Sequence, residues 1–359
     1  MTLDNKNIPS LDGIRGYSIL LVFLSHIGFG NVIPGGLGVT IFFFISGFLI
    51  TKLSLVELRK NLHFNFRAFY LRRFFRLYPA LILFLLFIVL FFVVIQRPLI
   101  LSEFSAALFY YVNYAWVFWA PSHVDQWHGI FKILWSLAIE EHFYLFFPVI
   151  FVVTYKKASW FYFTSFSIIL ACLLFRIYYS KVFGDSPELE LYNYSLTHTR
   201  VDSIMYGCLL AFALYSGYNV KIFKILSNKS LFAFAILTLF FTLIYRDPIF
   251  RQTYRYSLQG FALFVIIPNI VFTEWKLLRF FFENKLIVEI GKLSYSIYLF
   301  HWFSMFLGKS LYPEVTVGWY FIVIVMTILF SYFSFNYIEK PFVKLRRNYG
   351  SNVQLEKKS

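Results

Sequence analysis

The sequence predicts an all-α polytopic membrane protein with about ten transmembrane helices, one re-entrant or interfacial segment and both termini cytoplasmic. Three observations carry this. Of 359 residues, 59% are hydrophobic and only 14% charged, against roughly 25% charged in an ordinary soluble domain. Apolar runs recur along the whole chain at about the length a helix needs to cross a hydrocarbon core about 30 Å thick. The basic residues collect in short loops between alternate runs, the bias that marks cytoplasmic loops. This distribution also argues against nucleic acid as a partner, although the formal charge is +15, because the positive residues read as topology determinants.

The first run, 11–29, keeps Asp12, Arg15 and His26 inside it. A helix turns about 100° and rises about 1.5 Å per residue, so Arg15 and His26 share a face about 16 Å apart, with Asp12 on nearly the same face. An uncharged Gly/Pro turn leads to the second run, 37–55. The loop 57–78 holds Arg59, Lys60, Arg67, Arg72, Arg73 and Arg76 against Glu57, which places it and the N-terminus inside. The third run, 79–95, goes outward.

Residues 104–120 combine Ser105 and Asn113 with clustered Tyr110, Tyr111, Tyr114, Trp116 and Trp119. That composition suits an interfacial or re-entrant segment, and a full crossing there would break the parity of the later loops. Runs at 134–154, 160–179, 199–216, 230–245, 256–273, 286–308 and 317–338 then alternate in direction. The outer loop 246–255 is locally basic and stands against the rule. Residues 1–345 read as one membrane domain and 346–359 as a basic cytoplasmic tail, with no internal repeat. The first ten residues carry little positive charge and no small-residue cleavage site follows, so the first helix is expected to be retained. Cys172 and Cys208 each fall within a predicted span. They read as small core residues, and neither a disulfide framework nor a metal site is expected.

An ionisable group inside a transmembrane helix costs a few kcal/mol and marks a functional site by default. Near the outer ends the topology places His26, Glu140 and Glu141 of WSLAIEEHFY, Arg200 and Asp202 of RVDSIMYG, and His301 of SYSIYLFHW. Near the inner side it places Asp12, Arg15, Arg72, Arg73 and Arg76. The pattern describes a polar cavity open outward and a cationic site facing the cytoplasm. Plainer readings stay open for several groups. Arg200 and Asp202 fit a structural ion pair with Glu140 or Glu141, His301 beside Trp302 fits an interfacial anchor, and the arginines fit topology determinants. His26 is the strongest candidate, since imidazole is the usual general base near neutral pH and here shares a helical face with a cation.

In order along almost the entire chain stand LDGIRG followed ten residues after its arginine by His26, then GGLGVTIFFFISGFLIT, FYLRRFFRLYPA, WSLAIEEHFYLFFP, RVDSIMYG, GKLSYSIYLFHW and YIEKPF. These motifs resemble the integral-membrane acyltransferase family 3, whose bacterial members include O-acetyltransferases of O-antigen and exopolysaccharide. The resemblance implies acetyl transfer from cytoplasmic acetyl-CoA to a hydroxyl of a lipid-linked or surface glycan, at the outer face of a bacterial inner membrane. Acetyl-CoA is then a substrate, no cofactor is bound, and membrane lipids are the surroundings.

On this resemblance Arg73 and Arg76, with Arg72, anchor the donor phosphates through guanidinium forks. His26 either deprotonates the acceptor or carries the acyl group. Arg15 guides the donor or stabilises the oxyanion, Asp12 orients Arg15, and Glu140 is the catalytic carboxylate candidate. Glu141, Arg200, Asp202, Tyr295 and His301 line the acceptor cavity or hold helices together. Glu140, Arg200 or Asp202 is the candidate to reach the His26 ring and set its tautomer.

The chain departs from the family pattern at Thr40, where an aspartate is common, and at His142, where glutamine is common. No esterase-like segment accompanies the membrane domain in these residues, so direct transfer is expected. Two rival readings are a polysaccharide or lipid-linked sugar transporter or flippase, which calls for repeat symmetry and interrupted helix pairs, and an acyltransferase of a cytoplasmic small molecule, which calls for an inward acceptor cavity.

Overall fold

The computed structural model describes residues 8–119, 129–216, 219–273, 275–347 and 349. Among these residues the elements are all helical, with no strand. Gly35–Asn61, Phe66–Val94, Lys132–Thr154, Ala158–Phe183, Tyr254–Phe272 and Val317–Leu345 are long and apolar enough to cross a membrane. Asp202–Tyr215 and Lys229–Ile244 are apolar but shorter. Length and composition thus establish six candidate spans rather than the ten expected. The first predicted span is the helix Pro9–Leu24 prolonged by a π turn, and the run 286–308 is divided at Leu293 between Lys285–Lys292 and Ser294–Leu311.

Two predicted boundaries move. The basic stretch 57–78 is mostly helix, because the second helix continues to Asn61 and the third begins at Phe66. Asn65 caps the third helix by accepting from Ala68 N at 2.9 Å. Arg72, Arg73 and Arg76 therefore ride on the same rigid helix as the apolar run that follows them. The ambiguous stretch 104–120 is broken into Leu101–Leu108 and Val112–Phe118, with Tyr110 between them at a φ of 56°. Neither piece has the length of a crossing. Residues 1–7 and 120–128 lie outside the described residues, as do positions 348 and 350–359 of the predicted tail.

The outward face of Ala158–Phe183 exposes Phe163, Phe166, Leu170 and Leu174. An apolar stripe at this helical spacing that faces no other protein element is what lipid contact requires. Inside, the bundle is tightened where backbones cross. A Cβ on Gly47 would stand 1.9 Å from the carbonyl oxygen of Ile204, and one on Gly207 1.9 Å from that of Phe44. Only glycine at both points lets the second helix meet Asp202–Tyr215 this closely. That crossing and the first helix, packed beside it, frame the polar interior.

Candidate active site

The first helix is regular as far as Leu24 and then opens into the π turn Ser25–Phe29, with Gly28 at a φ of 119°. Such turns re-aim the side chains they carry. Here the turn holds His26 against His301 of Ser294–Leu311, with His26 Nδ1 2.9 Å from His301 Nε2 and the ring planes inclined by only 2°. His301 Nδ1 lies 2.9 Å from the carbonyl oxygen of Ile297. A carbonyl can only accept, so His301 Nδ1 carries the proton and its Nε2 is the bare acceptor. His26 Nδ1 must then donate, which leaves the lone pair of His26 Nε2 free. Phe23 and Trp302 meet the two rings edge-on.

His26 opens on a pocket of about 1110 Å³, the outer one on the topology expected from loop charge, shared with Lys132, Trp135, Glu190, Tyr194 and Trp302. A second pocket of about 630 Å³, the inner one on the same expectation, is lined by Arg15, Arg76, Glu140, Ser46, Ser294 and Tyr295. Val39 and Tyr298 belong to the walls of both. The Tyr298 hydroxyl is pinned, accepting from Ser136 Oγ at 2.6 Å and donating to Ile133 O at 2.8 Å.

In the inner pocket Arg15 Nη2 donates to Ser294 Oγ at 2.9 Å, while Asp12 Oδ1 stands 3.5 Å from Nη1. Glu140 Oε2 accepts from the Tyr144 hydroxyl at 2.7 Å and from Ser46 Oγ at 3.2 Å. Arg73, which like Arg72 lines neither pocket, lies over the Tyr144 ring at 4.8 Å, so one tyrosine joins that cation to the carboxylate. Tyr295 donates to Leu77 O at 2.9 Å and braces the arginine helix.

Several expectations are corrected. Glu140 shares the pocket of Arg15 and Arg76 rather than that of His26, because it sits more than one turn below the Trp135 end of its helix. Among the described residues neither Glu140, Arg200 nor Asp202 contacts the His26 ring; its Nδ1 meets His301 Nε2 instead. Arg72 lines neither pocket. Its Nη2 is 2.5 Å from Glu57 Oε2 and its Nη1 donates to Tyr349 O at 2.6 Å. Glu141 lines neither pocket.

Asp202 pairs with Arg176, Oδ2 to Nη1 at 2.8 Å, with both side chains fully buried. Arg176 also donates to Thr199 O at 2.5 Å and Ser257 Oγ at 2.7 Å. Arg200 donates from Nη2 to Thr40 Oγ1 at 3.1 Å and lies 3.8 Å from the Tyr256 ring centroid. Thr40 and Tyr256 thus hold the arginine between the second helix and Tyr254–Phe272. Neither Arg200 nor Asp202 pairs with Glu140 or Glu141 among the described residues. His142 Nδ1 contacts Thr197 Oγ1 at 2.7 Å and lines neither pocket. Cys172 and Cys208 are buried and free.

Sequence reasoning passed over Arg176, Val39, Tyr298, Ser46, Tyr144, Lys132, Glu190 and Glu339. The default suspicion of any charge in an apolar run would have found Arg176. Glu339, in YIEKPF, is buried and accepts from the Ser296 hydroxyl.

A family model described as an acyltransferase domain matches residues 8–335. A protein of Staphylococcus aureus strain COL named "Putative O-acetyltransferase" is 33% identical over 356 residues, covering 94% of this chain and 58% of that protein. The O-acetyltransferase OatA of Staphylococcus aureus strain NCTC 8325 is 33% identical over 361 residues, with coverage of 94% and 58%. The chain thus spans about 58% of the length of these curated relatives. No solved structure matches it.

Proposed function

The chain belongs to the acyltransferase family whose domain it matches from residue 8 to residue 335, and from that premise we propose that it is a multi-pass O-acetyltransferase of a bacterial inner membrane. Acetyl-CoA enters from the cytoplasm, and the acceptor is a hydroxyl of a lipid-linked or surface glycan, such as an O-antigen or exopolysaccharide, at the outer face. This reading takes the chain to cross ten times with both termini inside.

The observation that carries the proposal is the pair of abutting pockets. Guanidinium groups line the inner one and a histidine with a free Nε2 lines the outer one, with Val39 and Tyr298 between them. Arg76 and Arg73 suit donor phosphates, because guanidinium forks bind phosphate oxygens bidentately. Arg15, in the same pocket as Arg76, steadies the thioester end and is itself held by Ser294 and Asp12.

At the outer pocket His26 Nε2 accepts the proton of the acceptor hydroxyl. The hydroxyl oxygen bonds to the acetyl carbon, the carbon–sulfur bond breaks, and the departing thiolate takes up the proton held by His26. His301 keeps His26 in the tautomer that this step needs. Trp135, Tyr194 and Trp302 offer apolar faces for a sugar, with Glu190 and Lys132 as hydroxyl partners.

The test is the acetyl content of surface polysaccharide, read by NMR, in a deletion strain complemented with wild type or with His26→Ala. Acetylation is restored by the wild type and absent with the variant, which still inserts in the membrane. Full acetylation by His26→Ala would sink the mechanism.

A further inference from the structure

The turn between Lys229–Ile244 and Tyr254–Phe272 is basic where the charge pattern of the chain calls for a less basic loop. In the fold its arginines converge. Arg246, Arg251 and Arg255 line a pocket of about 520 Å³ whose facing wall is the turn 30–34, just beyond His26. Arg246 Nη2 donates to Asn31 O at 3.3 Å. Arg255 Nη2 donates to the Tyr256 hydroxyl at 3.2 Å, and its buried Nε has no hydrogen-bond partner among the described residues. The Arg251 side chain is held by no hydrogen bond or ion pair among the described residues.

No carboxylate lines this pocket. Asp247, adjacent in sequence, is engaged in capping Pro248–Gln252, accepting from Phe250 N at 2.7 Å. Three guanidiniums around one cavity repel one another, so the arrangement gains most from an anion. The pocket lies where two apolar helices end, and if those helices cross the bilayer that end meets the lipid headgroups, whose anion is phosphate. Guanidinium forks match phosphate oxygens in pairs.

The pocket also adjoins the outer pocket. Ser25, His26, Gly35 and Gly36 flank the turn 30–34 on the His26 side. Pro187–Ser195, which supplies Glu190 and Tyr194 to the outer pocket, packs against Pro248–Gln252. We propose that Arg246, Arg251 and Arg255 form a phosphate site that seats a lipid-borne phosphate or diphosphate beside the pocket of His26. The proposal rests on reading that pocket as the acceptor site, and it makes the acceptor a phosphorylated lipid carrier whose sugar reaches Trp302 and His26 or, failing that, places a bilayer headgroup there.

The experiment titrates inorganic pyrophosphate into the full-length protein in phosphatidylcholine nanodiscs, with coenzyme A saturating the donor arginines. Wild type binds, Arg251→Gln weakens binding about tenfold, and Arg246→Gln with Arg251→Gln and Arg255→Gln abolishes it. Arg251→Gln guards against misfolding, since its side chain supports no neighbour. Unchanged affinity in both variants overturns the site. Exchanging part of the lipid for phosphatidylglycerol separates the sources: weaker apparent pyrophosphate binding in wild type alone assigns the site to bilayer headgroups, and no change assigns it to the acceptor. If wild type binds pyrophosphate at these arginines but transfers no acetyl group to any glycan, O-acetyl transfer fails and the phosphate site stands. If His26→Ala loses transfer while pyrophosphate binding persists only through other residues, the phosphate site fails and the transfer reading stands.

Discussion

His26 Nδ1 and His301 Nε2 stand 2.9 Å apart, and the far nitrogen of His301 is tied to Ile297 O, so two residues 275 positions apart form one oriented unit. Removing the acceptor at 301 frees the His26 ring to rotate and to take the other tautomer. His301→Leu is therefore expected to lower kcat for glycan acetylation about a hundredfold with little change in KM for acetyl-CoA. His301→Gln, whose amide oxygen can accept the same bond, should recover part of the loss. Equal activity of His301→Leu and wild type would show that the pair plays no part.

Arg72 and Arg76 are one helical turn apart yet serve different ends. Arg76 lines the inner pocket, whereas Arg72 neutralises Glu57, whose side chain is only 2% exposed. Arg76→Ala should raise KM for acetyl-CoA about tenfold. Arg72→Ala should leave that KM alone and lower thermal stability, since stranding a buried carboxylate costs about 1–3 kcal/mol. Steady-state kinetics and a melting curve of the purified variants measure both. A rise in KM with Arg72→Ala would return that residue to the donor site.

The Arg176 and Asp202 pair is buried on both sides. Breaking such a pair leaves an uncompensated charge and costs about 3–5 kcal/mol, while replacing both partners with apolar groups costs far less. Arg176→Met and Asp202→Leu should each lower the melting temperature sharply, and the double variant should melt well above the value that simple addition gives. Additive losses would mean that the two residues act independently.

Much of the site was legible because its signal is local. Arg15 and His26 declare themselves as charges on one face of an apolar run, and Arg76 as a cation at the foot of another. Depth within a helix was less legible. The basic residues that follow its helix put the start of that helix, and Glu140 with it, outward, yet Glu140 sits more than one turn in from Trp135 and shares the pocket of Arg15. Partner choice between distant helices was not legible at all. Nothing in the spacing of His301 tells which residue of the first helix it faces, and the π turn that rotates His26 toward it depends on Gly28 reaching a φ of 119°. Span count is subject to the same limit: six helices qualify by length and composition, while tilt and interruption are set by packing rather than by hydropathy.

Val39 stands between the two pockets. It is 5% exposed and, with Tyr298, lines both the arginine side and the histidine side. If the acetyl group crosses here, bulk at position 39 should separate donor binding from transfer. Val39→Trp is expected to bind coenzyme A with affinity near that of wild type, because Arg15, Arg76 and Glu140 are unaltered. Glycan acetylation should nonetheless fall at least about a hundredfold, as the thioester is held away from His26 Nε2 and a misplacement of about 1 Å already costs that much. Val39→Ala, which only widens the gap, controls for general disturbance of the second helix and should retain activity. Titration calorimetry with coenzyme A, run beside an acetyl-transfer assay, reads the two quantities separately. Transfer at the wild-type rate by Val39→Trp would mean that the acetyl group reaches His26 by another route.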